Sequence, residues 1–396
     1  MNLPVVVVGA GPVGLATALS LAHHGVPVRV IEAEPGLTED HRAGSFHPPT
    51  LEMLAPFGVT QAMHRIGLKV PRWQIRDRRQ GVIVEWDLGM IADLTPYPYR
   101  FHLEQFRLTP ILHEKLDAFP HAAVRFSTQF ESAEQDGEGV TVHTSTGHIR
   151  ASWLVGADGG RSPVRKHLQT DFEGFTWPER FVVIATPADF RAHGFASNAY
   201  VADPKEWAAV FQMPGTRPAG LWRLAFPVYP DEEDAAVLAD DAVEARMQRF
   251  LPRPQAYEVP HKGMYRVHQR VAKAWRVGRI VLAGDAAHLN NPLGAFGLNG
   301  GLHDAILLGE YLGKVWRGES DDSLLDLYVR KRRTANIDFV QTQSISNKKM
   351  LEEADPAARR QKFDELRRIA ADREQARDFL VRSSMIWSVR RAAEIK

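Results

Sequence analysis

Residues 3–14 read LPVVVVGAGPVG, an apolar run that leads into a glycine-rich turn. The β-branched run Leu3–Val8 is typical of a parallel strand that is buried on both faces. The pattern over Leu15–His24 predicts a helix, and Val26–Glu32 predicts a second strand. Together these segments predict one right-handed strand–helix–strand unit.

The turn fits the pattern G-x-G-x-x-G through Gly9, Gly11 and Gly14. Gly9 permits the tight turn, Gly11 lets a diphosphate approach the backbone, and Gly14 lets the helix pack close to the strand. Pro12 and Val13 lie in the turn that opens the helix, whose first-turn N–H groups and dipole would bind that anion. The turn therefore predicts a dinucleotide site, but it does not choose between FAD and NAD(P).

An acidic residue follows this turn at the expected distance. Glu32 lies at the end of the second predicted strand, about 20 residues beyond the turn, where a carboxylate can accept hydrogen bonds from ribose hydroxyls. Glu32 and its neighbour Ala33 are therefore predicted to bind the cofactor.

Two later segments carry a related signal. Asp158 and Gly159 follow an apolar strand, and Gly284 and Asp285 follow another apolar strand that begins at Arg279. Ligands bind at the carboxyl ends of the strands in such sheets, and a carboxylate there suits the hydroxyls of a ribityl chain. The alternative is that both acids shape turns or cap the helices that follow them.

The composition is that of an ordinary globular chain. It has 396 residues, with 49 Lys and Arg against 48 Asp and Glu, and 44% of its residues are hydrophobic. The nearly neutral charge gives no reason to expect a nucleic acid or an acidic membrane surface as partner. The chain has no cysteine, which excludes disulfides, thiolate metal sites and iron–sulfur clusters.

The uncharged stretch Leu3–Ala22 does not have the pattern of a membrane span or a signal peptide. Glycines interrupt it, and no Lys or Arg precedes it. We therefore expect a cytoplasmic protein without a membrane span. The histidines show no metal-ligand spacing, so no metal site is predicted.

The order of these signals predicts an α/β fold in which a Rossmann-like nucleotide domain is interleaved with a mostly antiparallel β-sheet domain, followed by C-terminal helices. The predicted domain ranges are 1–73, 100–178 and 267–340 for the nucleotide domain, 74–99 and 179–266 for the substrate domain, and 341–396 for the C-terminal helical segment. Within that last segment, residues 385–387 (Met-Ile-Trp) are expected to dock on the body of the protein.

The ordered set of three motifs resembles the FAD-dependent aromatic hydroxylases of the para-hydroxybenzoate hydroxylase type, the group A flavoprotein monooxygenases. The similarity runs over nearly the whole chain. It implies that FAD is the cofactor. Beyond the glycine turn and Glu32, the resemblance implies cofactor contacts at Arg42, Gln105, Asp158, Gly159, Gly284, Asp285, Gly297, Leu298 and Asn299. One departure is that many relatives carry paired glycines where this chain has Gly294-Ala295.

The resemblance also implies the reaction. NADPH or NADH would reduce the flavin transiently, because the chain has only one G-x-G-x-x-G and so no evident second dinucleotide site. Molecular oxygen would then form a flavin C4a-hydroperoxide that hydroxylates an activated, phenol-like or heteroaromatic ring. The expected partners are thus a small aromatic substrate and oxygen.

Three residues are candidates for catalysis. A phenol that loses its proton is a better nucleophile, so a proton relay through tyrosine or histidine is expected. Tyr200 and His47 are candidates for this relay, and the resemblance implies that the carbonyl of Pro292 faces the substrate. Predicted substrate contacts are Trp222, Arg223, Pro292, Leu293 and Gly294. Core packing is the alternative for Trp222, and pairing with a surface acid is the alternative for Arg223.

Two other functions stay open at this stage. One is a flavin-dependent epoxidase of an apolar substrate, and the other is a non-catalytic, flavin-binding regulatory protein. The sequence also leaves open the ring that is hydroxylated, the choice between NADH and NADPH, and the oligomeric state, with a homodimer as one alternative.

Overall fold

Two large β-sheets organise the chain. The computed structural model describes residues 3–39, 44–215 and 220–396. In these ranges the strands are β1 Val5–Val8, β2 Val28–Ile31, β3 Ser45–Phe46, β4 Leu68–Val70, β5 Arg72–Asp77, β6 Gly81–Asp87, β7 Arg100–His102, β8 Ala122–Arg125, β9 Phe130–Gln135, β10 Val140–Thr144, β11 Gly147–Ala151, β12 Trp153–Gly156, β13 Phe172–Thr186, β14 Asn198–Ala202, β15 Ala208–Met213, β16 Leu221–Val228, β17 His261–Ala272, β18 Arg276–Val277, β19 Ile280–Leu282 and β20 His288–Leu289. The α-helices are α1 Pro12–His23, α2 Pro48–Leu54, α3 Val59–His64, α4 Gln105–Asp117, α5 Pro163–His167, α6 Asp234–Val237, α7 Asp240–Phe250, α8 Phe296–Trp316, α9 Ser323–Ala335, α10 Thr342–Glu352, α11 Pro356–Ala371, α12 Arg373–Ser383 and α13 Ile386–Glu394.

The first sheet has six strands in the order β18-β19-β12-β1-β2-β8. Strand β1 pairs in parallel with β2 and β12, and β12 pairs in parallel with β19. The four valines of β1 are all buried, as expected for a parallel strand covered on both faces. The sheet therefore joins strands from both ends of the first 282 residues, as the interleaved organisation requires.

Small residues set the packing of helices on this sheet. Helix α1 begins at Pro12, one turn before the predicted Leu15, because proline is favoured at the first helical position. A Cβ atom on Gly14 would lie 1.9 Å from the carbonyl oxygen of Gly9, and one on Gly309 of α8 would lie 2.3 Å from the Ser20 hydroxyl of α1. These glycines let α1 approach both the turn that precedes it and α8.

The second sheet has eight strands in the order β20-β17-β13-β16-β15-β14-β5-β6. Its pairings are antiparallel except between β14 and β5, which run parallel. One face packs Trp222 and Phe226 against Met247 of α7. The opposite face packs Trp73 and Tyr200 in a cluster that includes residues of the C-terminal helices.

A small sheet, β3-β7-β4, connects these two bodies. Its central strand β7 carries Arg100 and His102, whose side chains are both buried. The Nδ1 atom of His102 lies 2.8 Å from the Gln212 carbonyl oxygen on β15. Strand β7 is thus tied to the eight-stranded sheet just before α4 returns the chain to the first sheet.

The C-terminal helices cover one face of the eight-stranded sheet. The Phe379 ring of α12 stacks on Trp86 with ring centroids 4.1 Å apart. Met385 joins a buried cluster with Phe296 and Phe339, and Trp387 packs against it, so the predicted docking of residues 385–387 is confirmed. No helix in the described ranges is both long enough and apolar enough to span a bilayer.

This architecture confirms the predicted fold class, an α/β nucleotide-binding body combined with a mostly antiparallel sheet and C-terminal helices. The exact domain boundaries drawn from the sequence stay a prediction.

Candidate active site

The glycine turn forms an open cradle at the start of α1. Gly9 has a φ of 104°, in the left-handed region, and a Cβ there would lie 2.5 Å from the Ala157 carbonyl oxygen. At Gly11, the N-cap of α1, a Cβ would meet none of the described atoms within 4 Å. Within the described chain no side chain caps the helix. The first-turn N–H groups and this open space suit a diphosphate.

Glu32 lies directly beside this cradle. Its Oε2 atom accepts a hydrogen bond of 2.7 Å from the backbone N–H of Ala10, inside the glycine turn. Its Oε1 atom accepts one of 3.0 Å from the backbone N–H of Glu34. The neighbouring Ala33 is exposed. The carboxylate is therefore oriented by the turn itself, at the end of β2, where a ribose would lie.

The second cofactor motif meets the first one in space. Gly284 has a φ of 61°, and a Cβ there would lie 2.9 Å from the Val13 side chain. Asp285 follows at the carboxyl end of β19, close to Arg165. Burial lowers the pKa of Arg165, and the negative charge of Asp285 partly offsets that effect. The structure thus brings together two segments that lie about 270 residues apart in the sequence.

A buried ionic network supports the Gly284 turn from behind. One carboxylate oxygen of Asp304 on α8 accepts a hydrogen bond of 3.0 Å from the Gly284 N–H, and the same oxygen lies 2.7 Å from His288 Nε2. The other accepts one of 2.6 Å from Arg332 Nε. Burial acts to raise the pKa of Asp304, but the charges of Arg332 and His288 outweigh it and lower that pKa to about 2. Asp304 therefore stays ionised and fixes the turn.

Asp158 shapes its own turn. Its two oxygens accept hydrogen bonds of 2.5 Å from the Ser162 hydroxyl and 3.0 Å from the Val164 N–H. Burial raises the pKa of this carboxyl against the effect of those bonds. Gly159 follows with a φ of 77°. These contacts match the helix-capping alternative, and a cofactor contact of Asp158 or Gly159 stays a prediction.

The loop before α8 has an unusual backbone. Helix α8 begins at Phe296, three residues before the predicted Asn299, so Gly297, Leu298 and Asn299 all lie in its first turn. Ala295 has a φ of 60° and takes the left-handed conformation that paired glycines would adopt without strain. Although this chain has Ala295 where many relatives have a second glycine, the backbone at Ala295 thus has the left-handed conformation typical of glycine.

Asn299 ties this helix end to residues 45–50. Its side-chain oxygen accepts hydrogen bonds from His47 N–H (2.8 Å) and from the Thr50 hydroxyl (2.6 Å), and its side-chain nitrogen donates to the Ser45 carbonyl (2.9 Å). Both polar atoms of the Asn299 side chain therefore position the loop. The contact between the Asn299 backbone and the flavin stays a prediction.

Gly294 is held from two sides. The His47 Nε2 atom lies 2.8 Å from the Gly294 carbonyl oxygen, and the Gly294 N–H donates to the Tyr200 hydroxyl over 3.1 Å. Burial and the nearby charge of Arg100 lower the pKa of His47 to about 3. His47 is therefore neutral at pH 7, donates through Nε2, and keeps a lone pair on Nδ1 that meets no hydrogen-bond partner among the described residues.

The remaining loop residues are placed as follows. The Pro292 carbonyl oxygen accepts a hydrogen bond of 2.9 Å from Ala295 N–H, which leaves one lone pair for a substrate. Leu293 is buried, and its N–H donates to Asn291 Oδ1 over 3.1 Å. Gln105 begins α4. Arg42 lies outside the described residues.

Trp222 and Arg223 point to opposite faces of β16. Trp222 is fully buried in the cluster under α7 with Phe190, which matches the packing alternative, and its contact with substrate stays a prediction. Arg223 lies on the other face, in register with Phe211, whose ring is 5.8 Å from that of Tyr200. Its role toward the substrate stays a prediction.

Sequence reasoning missed Arg100. Its guanidinium lies 4.4 Å above the Trp73 ring and bonds to the side-chain oxygen of Asn198. Tyr200 is also a hydrogen-bond partner of this group. Strand β7 has only three residues, Arg100 to His102, which is too short for a periodic pattern to have identified Arg100.

Comparisons with known proteins identify the family of this chain. Residues 2–343 match the protein family described as FAD binding domain. Para-nitrophenol 4-monooxygenase of Pseudomonas sp. (strain WBC-3) is 38% identical over 388 residues, covering 95% of this chain and 94% of that protein. The enzyme 6-hydroxy-3-succinoylpyridine 3-monooxygenase of Pseudomonas putida (strain DSM 28022 / S16) is 34% identical over 386 residues, covering 96% of this chain and 97% of that protein.

The fold has a similarly close counterpart. The crystal structure of p-nitrophenol 4-monooxygenase from Pseudomonas putida DLL-E4 superposes with a TM-score of 0.90 at 35% identity, covering 96% of each chain. The match of the family, the relatives and the fold disfavours a non-catalytic regulatory role. The chain belongs to the FAD binding domain family and is an FAD-dependent monooxygenase of the aromatic-hydroxylase type.

Proposed function

We propose that this enzyme uses NADH or NADPH and molecular oxygen to hydroxylate an activated ring, a phenol or a hydroxylated heteroaromatic compound. The observation that carries the proposal is the position of Gly294. It lies on the loop between the Asp285 turn and α8, and Tyr200 of the eight-stranded sheet bonds to it over 3.1 Å. The reactive edge of a flavin bound along this loop would face that sheet.

The cofactor would be held at both of its ends. The first turn of α1 and Glu32 would bind the diphosphate and ribose, and Asp285 would bind the ribityl hydroxyls. The N-terminus of α8 would lie beside the flavin ring, where its positive dipole end stabilises the negative charge of the reduced flavin. When FAD is bound there and reduced, it would supply the activation of oxygen.

The chain's own residues would orient the ring of the substrate. Trp73, Tyr200 and Phe211 form an aromatic box on one face of the eight-stranded sheet, with the Trp73 and Tyr200 rings perpendicular and 6.1 Å apart. Such edge-to-face surfaces accept a flat aromatic ring. The C-terminal helices, through Phe379, whose ring stacks on Trp73 and Trp86, would cover this side of the box and exclude water.

The relatives favour a ring that carries a hydroxyl group. Their names specify para-nitrophenol and 6-hydroxy-3-succinoylpyridine, a benzene and a pyridine that are both hydroxylated. His47 and Tyr200, which meet at Gly294, would position the loop against such a hydroxyl group. They are the two residues predicted for the proton relay, and both bond to Gly294.

Turnover tests this proposal directly. Purified protein should be yellow, and phenols or hydroxypyridines should accelerate NADH or NADPH oxidation together with oxygen uptake. Mass spectrometry should find a product one oxygen atom heavier than the substrate. Protein stripped of FAD is the control and should be inactive until FAD is restored. Yellow protein whose NAD(P)H oxidation no member of a broad panel stimulates would contradict the proposal.

A further inference from the structure

We propose that Gln269 is a positioning residue for the loop 290–294, and that it fixes the direction of the Pro292 carbonyl through Asn291. This inference rests on the proposed hydroxylation, in which the loop lies between the flavin and the eight-stranded sheet. Gln269 lies on β17, and only 2% of it is exposed. The residue acts through the loop and not on the substrate.

The side-chain oxygen of Gln269 is directed at the loop. It accepts hydrogen bonds from the backbone N–H of Asn291 over 3.0 Å and from the side-chain nitrogen of Asn291 over 3.2 Å. Trp177 Nε1 on β13 donates to the same oxygen over 3.3 Å. A backbone N–H and an indole N–H can only donate, so the atom that faces them is the amide oxygen.

Asn291 transmits this contact to the Pro292 carbonyl. Asn291 is fully buried, and its Oδ1 atom accepts a hydrogen bond of 3.1 Å from the Leu293 N–H. The Leu293 N–H and the Pro292 carbonyl belong to the same planar peptide group, so a bond that holds one also fixes the direction of the other. Gln269 therefore orients this peptide group by holding Asn291 in place.

The side-chain nitrogen of Gln269 connects the loop to the C-terminal helices. It donates to Gln341 Oε1 over 2.7 Å and to the Ser344 hydroxyl over 3.0 Å. Gln341 Nε2 in turn donates to the Leu289 carbonyl oxygen over 3.0 Å. Gln341 thus holds the chain just before the loop, Gln269 holds it at Asn291, and the two amides hold each other.

A wide helical turn carries Gln341. Residues Asn336–Gln341 form a π-helix between α9 and α10, and such turns occur frequently at functional sites. A period of four residues is longer than the 3.6 residues of an α-helix, so a wider turn keeps side chains with this period on one side. The buried residues of this region that recur every four positions are Arg332, Asn336, Val340, Ser344 and Lys348.

Helix α10 is anchored to the eight-stranded sheet independently of Gln269. Lys348 Nζ forms a buried ion pair with Glu179 of β13 and lies 4.2 Å from the centre of the Trp177 ring. Asn347 Nδ2 donates to the Leu293 carbonyl oxygen over 3.2 Å. The helix is therefore a fixed support, against which Gln269 and Gln341 position the loop.

A displaced loop would change what the reaction yields. In hydroxylation, NADH or NADPH and a proton supply two electrons and two protons, one oxygen atom enters the ring, and the other leaves as water. If the ring is not held correctly, the same two electrons and two protons reduce oxygen to hydrogen peroxide, and no product forms. The yield of product per NADH or NADPH oxidised therefore measures positioning, because partial unfolding lowers both quantities together.

Hydrogen exchange in the oxidised holoenzyme tests the positioning without turnover. In Gln269→Leu the amides of the peptide that covers residues 290–294 should exchange about tenfold faster than in the wild type. Gln248→Leu is the matched control, because Gln248 of α7 also makes three hydrogen bonds but lies on the opposite face of the sheet. It should leave exchange in this peptide unchanged, and both variants should bind FAD at the wild-type ratio.

Turnover with 4-nitrophenol then tests the consequence. Gln269→Leu should lower the yield of hydroxylated product per NADH or NADPH by about tenfold, with hydrogen peroxide accounting for the difference and the KM for NADH or NADPH nearly unchanged. Gln269→Glu keeps an acceptor for the Asn291 N–H and should restore part of the yield. Gln248→Leu should give the wild-type yield. A Gln269→Glu yield equal to that of Gln269→Leu would contradict the role of the side-chain oxygen.

Three results would overturn the inference. They are wild-type exchange at residues 290–294 in Gln269→Leu, a wild-type product yield in that variant, and an equal loss of yield in Gln248→Leu. If Gln269→Leu does not fold, Gln341→Leu at a half-buried position takes its place, and unchanged exchange there would overturn the inference. If the wild type hydroxylates no phenol, the proposed function fails, while the exchange measurement still decides whether Gln269 positions the loop.

Discussion

At the scale of single residues, the site depends on groups that are held from two sides. Gly294 bonds to His47 through its carbonyl oxygen and to Tyr200 through its N–H. Asp304 holds Gly284 while His288 and Arg332 hold Asp304. Because each loop is fixed by side chains from other elements, its backbone is in place before a ligand binds.

Asp285 provides the residue-scale prediction. Asp285→Ala should weaken FAD binding by about tenfold to 100-fold, because hydrogen bonds to a charged group contribute about 1.5–3 kcal/mol. The ratio of flavin to protein after purification and a titration of the apoprotein with FAD measure this effect. Asp285→Asn should lose less, and Asp241→Ala, on the exposed side of α7, is the control. Wild-type FAD affinity in Asp285→Ala would contradict the assigned role.

Residue roles could be predicted from sequence only where spacing encodes them. The glycines of the first turn and Glu32 were identified correctly as neighbours, because G-x-G-x-x-G and the later acid have a fixed spacing in such units. Arg100 was missed, and the choice between substrate contact and core packing could not be made for Trp222. The burial of a charged side chain, and the direction in which a strand residue points, depend on partners that are distant in sequence.

At the scale of elements, two helix N-termini define the cofactor site. Helix α1 begins at Pro12 after an open cradle, and α8 begins at Phe296 after the left-handed Ala295. The two helices pack on each other through Gly309 and Ser20. The existence of both helices follows from the sequence pattern. Their first residues were each placed three residues late, because the apolar pattern used to locate them starts inside the helix.

Two glycines of the first turn should behave differently. Gly14→Ala should destabilise the fold, since its Cβ would lie 1.9 Å from the Gly9 carbonyl oxygen. Gly11→Ala should fold normally but bind FAD weakly, because its Cβ points into space that is free of described atoms within 4 Å. Thermal unfolding of the apoprotein and FAD titration separate these effects. Gly36→Ala, also without neighbours, is the control. Equal FAD affinity in Gly11→Ala and wild type would contradict a diphosphate at Gly11.

At the scale of the whole molecule, the buried neutral histidines link stability to pH. His47 and His102 have pKa values of about 3 and 4 in the folded protein, because both are buried beside Arg100. In the unfolded chain a histidine has a pKa of about 6.5. The unfolded chain therefore binds more protons in this range, and the free energy of unfolding falls as the pH falls from about 6.5.

His47→Gln tests that linkage. Each such histidine contributes a slope of about 1.4 kcal/mol per pH unit between its two pKa values. Denaturant unfolding of His47→Gln should therefore depend less steeply on pH than that of the wild type, by about this amount. His148→Gln, at an exposed position, should keep the wild-type slope. The same slope in His47→Gln as in the wild type would show that folding does not lower the pKa of His47, and would contradict this account.

The central claim is that two distant segments, 9–14 and 284–299, bind one FAD molecule whose reactive edge faces the aromatic box. A crystal structure of the holoenzyme with a bound phenol tests this claim most directly. We predict the diphosphate at the first turn of α1, the flavin ring beside residues 292–299, and the phenol on the face of the eight-stranded sheet that carries Tyr200. A flavin ring in a different cleft, or a phenol bound away from the eight-stranded sheet, would contradict it.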